Sequence, residues 1–354
     1  MKSNASINRR QMLAGVGATA AAIAVPNLAR AQTIDVVNIG HVIGISEAPF
    51  FIGDAKGFFH DAGVDVKWTV FEASAQMIAP LAQGQLDGLG SGISAATFNA
   101  IGRGIPLRIV GDRGIDFPPY GALPLVVRTD LIKTGRFKSL RDLKGLKIAE
   151  PTKGGANLPI VVRFLEKAGL KYEDADHLFL PFAEQIAGFR NGAVDAAVLI
   201  EPFASLAISQ GYVTRVAVDT DAYPNHQISV LFYSAPFIEK RPDVARKFFV
   251  GYLRSLRYYR GALLNGKLAG PNAEDVIGIL QKNLALPDPS LWRTITPTAV
   301  TTDGRVNMAS IEYEYATFNR FGFITDPSDI SHAVDMRFAD YANRQLGPYR
   351  APRG

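Results

Sequence analysis

The feature that most limits the fold is a β-α-β-α alternation that runs twice. Apolar runs of strand length at Ile34–Gly40, Val64–Val70, Leu86–Gly90 and Leu107–Val110 are each followed by a turn and a helical period. The same order returns at Leu146–Ala149, Ala175–Leu180, Ala196–Ile200 and Thr214–Val218. Such alternation predicts α/β architecture with parallel sheets flanked by helices. The two copies also agree in residue type. Phe58-Phe59-His60-Asp61-Ala62-Gly63-Val64 is answered by Arg163-Phe164-Leu165-Glu166-Lys167-Ala168-Gly169-Leu170. Ala75-Gln76-Met77-Ile78-Ala79 and Gly84-Gln85-Leu86-Asp87 are answered by Ala183-Glu184-Gln185-Ile186-Ala187 and Gly192-Ala193-Val194-Asp195, so the offset is about 106 to 108 residues in both places. Two matches in register predict duplicated lobes, each with a helix that ends on a glycine cap, Gly84 or Gly192.

After Val218 the alternation stops. Val230-Leu231-Phe232-Tyr233 predicts one more strand, and helical patterns follow at Pro242–Leu264, Asn272–Asn283, Met308–Phe321 and Ile330–Asn343. Phe248, Tyr252 and Leu256, with Phe249 and Leu253, repeat at i, i+4 and read as helix core. A chain that leaves the first lobe, builds the second and returns assigns residues 32–120 plus 229–354 to lobe I and 121–228 to lobe II. It would cross near Tyr120-Gly121 and Ser229-Val230.

The first 31 residues read as a signal peptide. Lys2, Arg9 and Arg10 precede an apolar stretch, Met12 to Val25, too short for a membrane span, and Ala29-Arg30-Ala31 is a small-x-small cleavage site. Asn8-Arg9-Arg10-Gln11-Met12-Leu13 has the form of the twin-arginine export signal, and the mature chain would begin at Gln32. Charge then changes meaning. The whole chain has 38 Lys+Arg against 33 Asp+Glu, but four of the bases (Lys2, Arg9, Arg10, Arg30) and none of the acids lie in the leader. The remaining near-neutral chain has no basic stripe interleaved with aromatics, which argues against nucleic acid as a partner. With no cysteine, thiolate catalysis and cysteine-built metal sites are excluded. His41, His60, His177, His226 and His332 have no metal-ligand spacing.

Open α/β sheets bind ligands beyond the carboxyl ends of their strands, which brings four loops forward. Loop one runs from His41 to Phe51 and includes Ser46, as a helix N-cap, Pro49 in the first turn, and Phe50. Loop two is Gly90-Ser91-Gly92-Ile93-Ser94. Loop three is Pro151-Thr152-Lys153-Gly154-Gly155-Ala156-Asn157, and loop four Glu201-Pro202-Phe203. Glycines allow close backbone approach, and free N–H groups at a helix start favour an anion. Loop three is equally a plain helix start capped by Asn157 or Thr152. Glu201 either accepts a ligand N–H or hydroxyl, or pairs with a base across the cleft. The candidate ligand residues are His41, Ser46, Phe50, Ser91, Ser94, Thr152, Gly154, Gly155, Ala156, Asn157 and Glu201. A different use of loop two comes from its G-x-G-x-x-A run, with Asp112 at the next strand end: a dinucleotide site. That gives the alternative of a twin-arginine-exported oxidoreductase built on Gly90-Ser91-Gly92.

These residues resemble the periplasmic solute-binding proteins of ABC importers, in the branch that handles aliphatic sulfonates, taurine, nitrate and the pyrimidine precursor of thiamine. The resemblance covers Ile34 to about Gly322. It rests on Ala48-Pro49-Phe50-Phe51 with Gly57-Phe58-Phe59, on Gly90-Ser91-Gly92 with Gly102-Arg103-Gly104, and on Ser139-Leu140-Arg141-Asp142-Leu143-Lys144-Gly145-Leu146. Phe164-Leu165-Glu166-Lys167-Ala168-Gly169-Leu170 and Asp195-Ala196-Ala197-Val198-Leu199-Ile200-Glu201-Pro202-Phe203 complete it. The resemblance implies a two-lobed fold of the type with two crossover strands and a ligand cleft between the lobes. It further implies no catalysis and no cofactor, a periplasmic location, a monomer, and an ABC permease as partner. Two departures bear on the ligand. Members that grip a sulfonate or nitrate often place Ser or Thr and then His in loop three, where this chain has Gly155-Ala156-Asn157-Leu158, and Ile200 stands where many have Trp. Enzymes of this fold, the desulfinases and the thiamine-pyrimidine synthase, depend on a cysteine that is absent here.

Overall fold

A computed structural model describes residues 34–352 apart from 73, 285 and 287; the leader, 1–31, lies outside the described residues. Two five-stranded sheets form the centres of two lobes. The strands are β1 (Asp35–His41), β2 (Val64–Val70), β3 (Gly88–Ser91), β4 (Leu107–Asp116), β5 (Pro124–Arg128), β6 (Lys147–Glu150), β7 (Asp176–Phe179), β8 (Ala196–Val198), β9 (Val213–Val218) and β10 (His226–Ser234). Sheet order is β2-β1-β3-β10-β4 in the first lobe and β7-β6-β8-β5-β9 in the second. The two orders are the same pattern, as duplicated lobes require.

The sheets are not wholly parallel, contrary to expectation. β1 runs parallel to β2 and β3, and β6 to β7 and β8, but β10 is antiparallel to both β3 and β4, and β5 to both β8 and β9. The reason is geometric. Every other strand runs toward the cleft, so a chain arriving from the opposite lobe enters its new sheet from the cleft side and must run the other way. β5 was not anticipated. Its sequence, Pro-Leu-Val-Val-Arg, has Leu125, Val126 and Val127 all buried, because a central strand is covered on both faces and shows no alternation. β10 already pairs with β4 at His226, so the second crossing is complete before Ser229.

Both glycine caps adopt the left-handed backbone that only glycine reaches without strain: Gly84 at φ +72° and Gly192 at φ +78°. The helix Pro242–Arg260 turns Val244, Ala245, Phe248, Phe249, Tyr252, Leu253, Leu256 and Tyr259 inward. Burying each large member contributes roughly 1.5–3 kcal/mol, so this stripe belongs to the core of lobe I. The expected helix Ile330–Asn343 is instead a short 3₁₀ turn, Ile330–Ala333, then the helix Arg337–Leu346. Val334 breaks it by forming a bridge to Ile109, after which the Asp335 N–H donates to the Ile109 carbonyl. The helix Met308–Arg320 packs on Ala95–Gly102 of lobe I and on Leu158–Lys167 of lobe II.

Candidate functional site

The four loops meet between the lobes. The Ile45 N–H of loop one donates to the Glu201 carbonyl of loop four at 3.1 Å, and the Ala95 N–H just after loop two donates to the Gly154 carbonyl of loop three at the same distance. A Cβ on Gly92 would stand 2.8 Å from Ala156 Cβ, and one on Gly44 would stand 3.0 Å from Ile200 Cδ1. Glycine at both positions is what lets loop one reach loop four and loop two reach loop three.

In loop one, Ser46 is not a helix cap. A 3₁₀ turn, Ile45–Glu47, precedes the helix Ala48–Ala55, whose N-cap is Glu47 with no side-chain bond. Pro49 does occupy the first turn. Ser46 is buried, its Cβ 3.6 Å from where a Cβ on Gly114 would lie. Phe50 turns into the core of lobe I, against Trp68 and Tyr252 at ring separations of 5.0 and 5.5 Å. The His41 ring meets Phe50, Phe51 and Trp68 edge-on, and its Nδ1 lies 3.1 Å from the Val42 carbonyl and 3.4 Å from Glu47 Oε2.

In loops two and three most polar groups serve local structure. Ser91 Oγ donates to the Gly92 carbonyl at 3.0 Å, and Ser94 Oγ caps the helix Ala95–Gly102 by accepting from the Thr97 N–H. Thr152 is exposed, and its carbonyl accepts from the Gly155 N–H. Gly154 sits at φ +65°. Asn157 does not cap its helix; its Nδ2 donates to the Val198 carbonyl at 2.7 Å and ties loop three to the end of β8. The first turn of Leu158–Lys167 therefore has no side-chain cap.

Glu201 is fully buried, and both carboxylate oxygens are engaged: Oε1 accepts from Arg215 Nη2 at 3.0 Å and Oε2 from the Ser205 N–H at 3.0 Å. Burial raises its pKa, and Arg215 opposes the rise. Of the two roles left open, the pairing is the one seen, but with a base of the same lobe. Arg215 itself reaches across, donating to Thr296 Oγ1 at 2.8 Å. Another buried ion pair, Glu47 with Arg113, lies in lobe I. The sequence reading missed it because Arg113 falls where β4 was ended at Val110. With Arg108, Asp112, Arg113 and Asp116 all in the same strand, no local pattern sets Arg113 apart.

The dinucleotide alternative fails on geometry. A Cβ on Gly90 would meet the Phe50 ring and Arg113 Cδ, so the glycines of loop two make room for protein rather than for a pyrophosphate. Asp112, the required ribose ligand, is buried and held by the Gly114 N–H, Gln227 Nε2, and the N–H and hydroxyl of Thr301. Burial raises its pKa to about 6.

Residues 45–261 match the model of the family described as NMT1/THI5 like. The chain belongs to this family. Among its curated relatives, a protein of Escherichia coli (strain K12) named for the binding of aliphatic sulfonates is 30% identical over 266 residues, or 72% of this chain and 74% of that one. In fold, the NMT1/THI5-like chain resembles the periplasmic nitrate-binding protein NrtA from Synechocystis PCC 6803, with a TM-score of 0.72 and 15% identity, covering 91% of this chain and 93% of that one. It also resembles the desulfurization enzyme DSZB, at TM-score 0.62 and 13% identity, covering 88% and 99%. At these identities the two structures speak for the fold alone. Among the described residues no helix is long and apolar enough to cross a membrane.

Proposed function

We propose that this chain is an exported, monomeric receptor that takes a small polar organic compound or oxoanion between its lobes and delivers it to an ABC permease of the inner membrane. The observation that carries the reading is the meeting of all four strand-end loops, with backbone bonds from Ile45 to Glu201 and from Ala95 to Gly154. A cleft that closes on loops from both lobes is built to enclose a solute, and binding favours the closed form by its differential affinity for that form. Family membership and the relative named for sulfonate binding support the same role. The likeness to DSZB carries only the fold, and the absence of cysteine favours binding over chemistry of the thiolate kind. The twin-arginine-like leader supports a periplasmic location.

The test is a thermal-shift screen of sulfonates, carboxylates, nitrate and nitrogen heterocycles against the mature protein. A solute at 100 times its Kd adds about 2.7 kcal/mol to stability. No response to any class, together with turnover of a candidate solute, would replace the receptor with an enzyme.

A further inference from the structure

We propose that the helix Met308–Arg320 is a latch: an element of lobe I that docks on lobe II and holds the two lobes together through the protein's own side chains, with or without a solute. The inference goes beyond the receptor reading and does not depend on which solute is taken.

The argument starts from the helix Leu158–Lys167 of lobe II, which buries two apolar stripes where an ordinary surface helix buries one. Val161, Phe164 and Leu165 share a buried cluster with Leu125, Ile148 and Val198 of their own lobe. Leu158 and Val162, four apart on a neighbouring face, are just as fully buried, but in the cluster that holds Phe98, Leu107, Ile311 and Phe318 of lobe I. Two side chains of one lobe thus sit in the apolar interior of the other. That surface returns to water only if the lobes part, which the hydrophobic effect opposes.

The facing helix, Met308–Arg320, is divided in the same way. Tyr315 and Phe318 hold it to lobe I, meeting the Phe98 ring at separations of 5.0 and 6.1 Å. Its other face reaches lobe II. The Arg163 guanidinium lies 3.8 Å over the Tyr313 ring, Arg320 Nη1 donates to Glu166 Oε1 at 2.9 Å, and Ser310 Oγ lies 2.8 Å from Tyr223 Oη. The segment after the helix continues the contact, with Phe321 at 5.1 Å from the Tyr172 ring of lobe II. That segment is anchored to lobe I, since the Phe323 carbonyl accepts from Asn99 Nδ2 and the Thr325 N–H donates to Asn99 Oδ1, both at 2.8 Å. The Arg320–Glu166 pair is half-exposed and weak by itself, so the buried apolar side chains and the guanidinium–ring contact carry the latch. Contacts made only in the closed form shift the population toward it, and what they supply a solute no longer has to.

The test is small-angle scattering of the mature protein, dialysed until native mass spectrometry shows the bare mass. The wild type should scatter as the described structure does, near the ~20 Å radius of gyration of a compact chain of this length. Val162→Asn with Tyr313→Ala should give a larger radius under the same conditions, because the new polar side chain is solvated only when the lobes part. A bare wild type already more extended than the structure overturns the proposal, and so does a folded variant of unchanged radius. Should the variant fail to fold, the lack of any cysteine in the chain allows a second route. Glu166→Cys with Arg320→Cys, treated with a short dithiol-specific cross-linker in the bare protein, should link promptly and completely within one molecule. Linking that stays incomplete overturns the latch. None of these measurements uses a solute, so either result leaves the receptor reading to its own screen.

Discussion

Asp116, the last residue of β4, and Asp219, which directly follows β9, are buried carboxyls whose charges repel, so that Asp219 helps to push Asp116 toward its protonated form. Each crossing between the lobes thus carries a carboxyl that burial drives toward the neutral form. Asp116 also accepts from the Ala122 and Ala299 N–H groups, and His226 Nδ1 lies 3.4 Å from Asp219 Oδ2 with Glu314 3.6 Å from its other nitrogen.

Stability should therefore depend on pH in a specific direction. Burial raises Asp219 to about 8 and Asp116 and Glu314 well above the usual carboxyl range. Groups raised in the fold hold protons that the unfolded chain has lost, so their contribution is full below pH ~4 and disappears as pH rises through the folded values. Burial lowers His226 to about 4, which acts in the opposite sense between pH ~4 and ~6.5 and is silent above that. One histidine offsets only one of the raised carboxyls, which include Asp112 at about 6, so stability should fall from pH ~4 through about 8, by about 1.4 kcal/mol per pH unit for each net proton. Melting curves across pH 5 to 9 check this. Asp219→Asn should flatten the decline, and a decline of unchanged steepness in that variant would assign it elsewhere.

Glu201→Gln should lower the stability of the protein without any solute by about 1–2 kcal/mol, because it removes the charged partner that the half-buried Arg215 meets at the fully buried Glu201. Replacing both partners, Glu201→Gln with Arg215→Met, should recover most of the loss. Denaturant unfolding of the three variants decides. An unchanged midpoint for the single variant would return Glu201 to the role of ligand acceptor.

Gly154→Ala should hold the lobes apart. The left-handed backbone costs an alanine roughly 1–2 kcal/mol, and the added Cβ would stand 3.2 Å from Phe323 and 3.4 Å from Ala95, both of the opposite lobe. Small-angle scattering with saturating solute should give a larger radius of gyration for the variant than for the wild type. Equal radii would show that the contact is not what limits closure.

The proposed signal peptide makes its own prediction. Protein recovered after export should begin at Gln32, and replacing Arg9 and Arg10 by lysine should block export. Normal export of the double variant would move the chain to the general secretory route.

How far the sequence could be read follows from where polar groups are satisfied. Strands with ordinary helical crossovers, such as β2 and β9, were found close to their observed bounds because periodicity reports burial on one side of an element. β4 extends past Val110, where Asp112, Arg113 and Asp116 look like a loop until their partners (Gln227, Glu47 and the Ala299 N–H) are known. Those partners lie 66 or more residues away along the chain, and no local pattern announces them. The four loops were legible, since glycines and a lone acid after apolar strands are local signals. Which of their side chains are already occupied was not, and Asn157, Ser94 and Glu201 all turned out to hold the protein's own groups.

The place of β10 between β3 and β4 has a consequence for the order in which the chain can be assembled during synthesis. Lobe II is written without interruption, so its sheet can form as soon as β9 has left the ribosome. The sheet of lobe I lacks a central member until β10 follows, with the whole of lobe II already made; β3 and β4 cannot neighbour one another directly and must wait. The N-terminal lobe is thus the later one to mature, and a growing chain halted before His226 would present a finished second lobe attached to an unfinished first.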